Sequence, residues 1–260
     1  MKAKLPTKLL EPRRGGLQTD RWAWICLERC RRKAGLDELP LPIPVEDWIE
    51  GPLAIRLGFT DLSYLGQDVL GATHIAEREI LIDEQVLSNE GRCRFTCAHE
   101  LGHLTLHRNV RDAFYDVQAD VTFSADKYER QADRFAAAFL MPMPVLEREL
   151  IHELDAHGLK RAQCVYELMQ PTVEAEWLWR YRVLPMVTRR FCVSLSAAVY
   201  RCADIQPLVD NAGPLLPRRL VERLLQRASQ DDDVASVHVI EGVPQYRDLF
   251  SDAKDECPGE

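Results

Sequence analysis

Two histidines four residues apart, His99 and His103, bracket an acid in the run His99-Glu100-Leu101-Gly102-His103. Residues at that spacing share one face of a helix, so both imidazoles can address a single cation. Glu100 is rotated about 100° from His99. It stands beside the pair without occupying the ion, as a base that takes a proton from water during metal-assisted hydrolysis must. Independent placement of these residue types would yield about 0.015 such patterns in a chain of this composition, so coincidence is a poor account. The plainer alternative is a pair of core histidines bonded to backbone carbonyls.

A hydrolytic zinc site needs a third protein ligand and keeps its fourth position for water. A histidine ten residues after His99 would serve, but Asn109 stands there and His107 falls two short. Downstream, Glu129-Arg130-Gln131-Ala132-Asp133 offers a carboxylate on a second helix. Glu129 fits as the third ligand. Asp133, one turn later, fits as the acceptor for the outer N–H of a ligand histidine. One Zn2+ per chain is the expected cofactor, with Mn2+ the alternative in the cell. Tyr115, Tyr128 and His107 are candidate donors to the oxyanion.

These side chains require two helices side by side. From Gly91 to His107 apolar positions surround most of the circumference, which predicts a buried helix. A second helix is predicted over Asp126–Leu140, with Ser124 or Asp126 as N-cap and Pro142 as the stop; its Ala132, Ala136 and Ala137 permit close approach of a neighbour. A third runs from near Pro144 to just before Gly158. Upstream, Asp20–Leu36 reads as an opening helix, a short helix starts near Val45, and the stretch 71–85 reads as one or two strands around Ile80, Leu81 and Ile82. That strand is expected to hold an extended substrate by edge pairing. Helices are also predicted over Leu159–Met169, Thr172–Val183, a pair around Phe191–Ala203, and Pro217–Arg227, with a short strand at Val234–Ile240. The fold class is α+β: a mostly helical zincin-like core with a small sheet, then a helical C-terminal region. Four segments follow: a helical extension (1–43), the metallopeptidase core (44–158), a helical region (159–228) and an acidic tail (229–260).

The chain has 260 residues, 46% hydrophobic and 28% charged, enough to bury a sizeable core. Its longest uncharged stretch, Phe135 to Leu146, is short and interrupted by Pro142 and Pro144, which excludes a membrane span there. The basic N-terminal residues precede no apolar run, so a secretory signal is not expected and the cytoplasm is the default location. The net charge of -8 is unevenly spread: Leu178 to Ala228 holds nine arginines and three acids, and the residues beyond are strongly acidic. That basic stretch admits nucleic-acid contact or a fold-back of the tail, though solvated helix faces are the commoner explanation. The eight cysteines lack zinc-knuckle spacing. Cys26 with Cys30, and Cys93 with Cys97, read as reduced thiols packed one helical turn apart.

The run RFTCAHELGHLTLH, followed by ERQADRFAAAFLMP, resembles the ImmA/IrrE metallopeptidases. The resemblance covers roughly 44–146 and implies zinc ligands at His99, His103 and Glu129 and a catalytic glutamate at Glu100. It also implies a peptidase acting on a separate protein, a helix-turn-helix transcriptional repressor whose cleavage releases stress-response or mobile-element genes. RRFCVSLSAAVYRCADI resembles the helix-turn-helix-like segment that follows this core, with Cys192 where the family has glycine. Glycine serves a left-handed turn there, which cysteine tolerates less well, so the sharp turn is left open. Two rivals stand beside this reading: a regulatory module with structural zinc and a DNA- or partner-binding C-terminal region, and a toxin-like protease acting on another cellular protein.

Overall fold

The computed structural model describes residues 10–13, 16–66, 68–110, 112–117, 127–156, 161–208 and 213–231, with side chains except at 116–117, 161–164 and 227–231. The architecture is α+β. The elements run β1 (Leu10–Pro12), α1 (Leu17–Lys33), α2 (Val45–Glu50), β2 (Arg56–Thr60), β3 (Val69–His74) and β4 (Glu79–Asp83). After a turn of 3-10 helix come α3 (Glu90–Leu106), β5 (Ala113–Val117), α4 (Lys127–Leu140), α5 (Met143–Ala156) and α6 (Arg161–Leu168). Next, α7 (Val173–Leu178) passes through a wide π-type turn, Trp179–Val183, into α8 (Leu184–Phe191), followed by α9 (Leu195–Ala203), β6 (Ile205–Pro207) and α10 (Arg218–Asp231).

Four strands form one sheet in the order β2-β4-β3-β5. β2 is parallel to β4, whereas β3 runs antiparallel to both β4 and β5. The strand around Ile80 is therefore β4, and it lies inside the sheet with both edges paired. The expectation that it receives substrate by edge pairing is overturned, because its backbone donors and acceptors are already used by β2 and β3. The outer edge of β5 has no strand partner among the described residues. β2 and β5 were not anticipated. Both are only five residues long, and both adjoin turns that mask their alternation.

α3 crosses the sheet and packs most extensively on α4. Asn89 caps it, its side-chain oxygen accepting from Arg92 N–H at 3.0 Å; the helix is buried on every side, as its sequence requires, with Cys97, Ala98 and Leu101 all at 0–1% exposure. Gly102 sets the spacing to α4: a Cβ there would stand 3.2 Å from Ala132 Cα and 3.3 Å from Phe135 Cβ. The anticipated small residues of α4 are thus matched by a glycine opposite them. The predicted N-cap residues of α4, Ser124 and Asp126, lie outside the described residues, as does the strand predicted at Val234–Ile240.

Cys192, where glycine would be easier, makes the sharp turn between α8 and α9, at φ 52°, ψ 60°. Its N–H bonds back to the Thr188 carbonyl. Its own carbonyl accepts from Nε of Arg94, a buried side chain of α3 that also donates to the Ile43 carbonyl at 2.6 Å. At the other end, β1 pairs antiparallel with β6, so the first and last strands among the described residues close on one another. One buried apolar cluster extends from Leu10 to Leu224. No described helix is long and apolar enough to cross a membrane.

Candidate metal centre

α3 places His99 and His103 on one face, and α4, held close by Gly102, brings Glu129 against them. His99 Nε2 lies 3.0 Å from His103 Nε2 and 3.1 Å from Glu129 Oε2, and His103 Nε2 lies 3.4 Å from the same oxygen. Three donors on a tetrahedron with bonds of about 2.0–2.1 Å stand about 3.3 Å apart. The triangle has the size of one face of a zinc coordination sphere, and the donor set, two imidazoles and a carboxylate, is one that zinc accepts. His99 and His103 are buried, at 3% and 1% exposure. The two imidazole nitrogens face each other at 3.0 Å, a spacing that either a hydrogen on one of them or a cation shared between them bridges.

Asp133 sits where the spacing placed it. His99 Nδ1–H donates to Asp133 Oδ1 at 2.9 Å, which fixes the proton on Nδ1 and leaves the Nε2 lone pair for the centre. Burial pushes the His103 imidazole down to about 4, against the opposing pull of Glu129, so it is neutral and able to ligate at pH 7. Burial alone would raise the Glu129 carboxyl, but its contacts with the His103 and His99 rings outweigh that and hold the group well below the carboxylate range.

Glu100 is fully buried against β3 rather than lying in line with the imidazoles. Thr73 Oγ–H lies 2.5 Å from Glu100 Oε2 and 3.1 Å from the Glu100 carbonyl. A Cβ at Gly71 would collide with Glu100 Oε1. Thr73 and Gly71, both against Glu100, were not singled out from the sequence; only their place on the strand next to α3 could have pointed to them. Phe114 was also missed. It stacks on His103 with ring centroids 4.2 Å apart.

Of the three candidate oxyanion donors, His107 is buried and engages both ring nitrogens within the protein. Tyr115 follows Phe114 on β5 and so projects to the other face of the strand, where its ring meets His74 edge-on. Neither can serve. Tyr128 stays near, its ring edge-on to His107 at 5.0 Å.

The thiols of Cys93 and Cys97 and a carboxylate oxygen of Glu46 lie within 4.8 Å of one another. Arg94 Nη1 already stands 3.7 Å from Glu46, so that carboxylate has its cation. The thiols accordingly read as core. Four of the nine arginines in the basic stretch are paired internally: Arg180 and Arg223 with Glu176, Arg190 with Glu149, and Arg201 with Asp20.

A family model of the IrrE N-terminal-like domain, Peptidase_M78, matches residues 55–203. Among curated proteins, "Uncharacterized immunity region protein 2" of Bacillus phage phi105 is 41% identical over 54 residues, 21% of this chain. That match spans 33% of the phage protein's length.

Proposed function

The chain belongs to the IrrE N-terminal-like peptidase family, and from that premise we propose that it is a zinc-dependent endopeptidase acting on a separate protein in the cytoplasm. The observation that carries the reading is the triangle of His99 Nε2, His103 Nε2 and Glu129 Oε2, with sides of 3.0–3.4 Å. Zinc held by these donors supplies Lewis acidity to a carbonyl and acidifies water toward neutrality. Glu100 accepts the proton of the attacking water and passes it to the leaving amide nitrogen. Thr73 and Gly71 orient it: the hydroxyl anchors one carboxylate oxygen, and the missing side chain leaves room for the other. Asp133 holds His99 in the ligating tautomer. Phe114 packs over His103 and keeps solvent from that ring.

The outer edge of β5, which has no strand partner among the described residues, offers an extended peptide a main-chain template next to the donors, with Phe114 directed at the imidazoles and Tyr115 away from them. A helix-turn-helix repressor is the proposed substrate, since the family resemblance points to one and the phage relative is named for an immunity region. Cleavage would then release stress-response or mobile-element genes. The rival with a DNA-binding C-terminal region fares less well. A groove-reading helix needs exposed side chains, whereas Ala197, Ala198, Val199, Arg201 and Cys202 of α9 are all buried.

Incubating the zinc-loaded protein with the repressor encoded beside it tests the proposal. Cleavage is expected, and Glu100→Gln should lower its rate by about 10²–10⁴ with zinc content unchanged. Equal cleavage by the variant would remove Glu100 from the mechanism. An intact repressor alongside another cleaved cellular protein would redirect the reading to the toxin-like protease.

A further inference from the structure

We propose that His107 and Gln131 are positioning residues that decide which nitrogen of His103 carries the proton, leaving Nε2 of His103 as the ligand atom; the inference rests on the metal-centre reading above. Gln131 Oε1 lies 3.0 Å from His107 Nε2. A carbonyl oxygen only accepts, so His107 Nε2 bears the hydrogen, and in a neutral imidazole Nδ1 is then bare. That bare nitrogen lies 3.1 Å from His103 Nδ1. His103 Nδ1 must therefore be the donor, and its Nε2 carries the lone pair that faces His99 and Glu129. Turning the Gln131 amide over inverts each step and ends with a hydrogen on His103 Nε2, where it would bar a cation.

Both rings of this chain of bonds are enclosed by the fold. His103 and His107 are 1% and 2% exposed. The Phe114 ring lies over His103 at 4.2 Å and against His107 at 5.6 Å, and Tyr128 closes on His107 at 5.0 Å. The two ligand histidines are thus fixed by different means. His99 uses the carboxylate of Asp133 directly, whereas His103 uses a neutral amide at one remove. His107, the C-cap of α3 and two residues short of the position that would add a ligand, acts on the second ligand histidine.

Full-length protein labelled with 15N-histidine and loaded with zinc reports the tautomers by long-range 1H–15N correlation. Hydrogen on Nδ1 of His103 and on Nε2 of His107 is expected; the opposite tautomer of His107 would overturn the inference without any variant. Zinc affinity by chelator competition at fixed pH supplies the second readout. His107→Phe and Gln131→Leu should each weaken binding by about 10–100-fold, and His107→Gln, whose carbonyl can accept from His103 Nδ1–H, should recover most of the loss. Folded His107→Phe with unaltered affinity would also overturn it. If the unsubstituted protein binds no zinc, the metal-centre reading falls instead, and this inference with it.

Discussion

Gly71 lacks a side chain where the Glu100 carboxylate fills the space one would occupy. Gly71→Ala must displace that carboxylate, and a misplacement of about 1 Å in a reacting group costs about 10²-fold in rate. We expect a loss of that size in kcat/KM with zinc binding preserved, measurable by cleavage assay beside metal analysis; loss of the metal would instead implicate α3 as a whole. His103 carries a pH signature. Its imidazole is held down at about 4 by burial, against about 6.5 in the unfolded chain. Between these values the unfolded chain binds a proton that the folded one does not, so stability present above pH 6.5 is lost as pH falls toward 4. The depressed Glu129 carboxyl acts in the same direction lower down, its contribution being lost as pH drops below 4.5. Urea denaturation of the chelator-treated protein from pH 7.5 to 4.5 should show a decline of about 3 kcal/mol from His103. His103→Gln should flatten it.

At the scale of elements, the two helices that carry His99, His103 and Glu129 were legible because their signals are local. Four-residue spacing, an all-round apolar face on α3, and alanines followed by Pro142 on α4 needed no tertiary context. The sheet was less legible. A central strand and an edge strand look alike over five residues, so Ile80 and Ile82 declared a strand without declaring β2 on one side and β3 on the other. Thr73 and Gly71 escaped notice for the same reason, since their work depends on α3 crossing β3. Cys192 shows tertiary context overriding propensity: the turn from α8 to α9 imposes a left-handed backbone, and Arg94 binds the carbonyl that results. A non-glycine residue there costs about 1–2 kcal/mol, partly offset by the larger entropy that glycine brings to the unfolded chain. Cys192→Gly should therefore stabilise the protein by about 0.5–1 kcal/mol in urea unfolding, and no gain would mean the thiol's packing outweighs the strain.

Over the whole molecule, the N-terminal segment is bound to α9 and β6 near the other end of the described chain. Arg201 of α9, 3% exposed, makes a two-pronged pair with Asp20 of α1, at 2.9 and 2.6 Å, and donates from Nε to the Met141 carbonyl just after α4. Three segments distant in sequence therefore meet at one guanidinium, with β1 pairing to β6 beside them. Such a pair adds little over well-packed apolar residues, yet removing one partner strands a buried charge and costs about 3–5 kcal/mol. Asp20→Ala should therefore lower the melting temperature by roughly 10 °C, at about 2–4 °C per kcal/mol for a chain of this size, while folded protein at 25 °C retains its zinc. The double replacement Asp20→Leu with Arg201→Met should regain most of that loss, because no charge is left without a partner. A double variant as unstable as the single one would show that the ion pair itself, rather than the packing around it, holds α1 against α9.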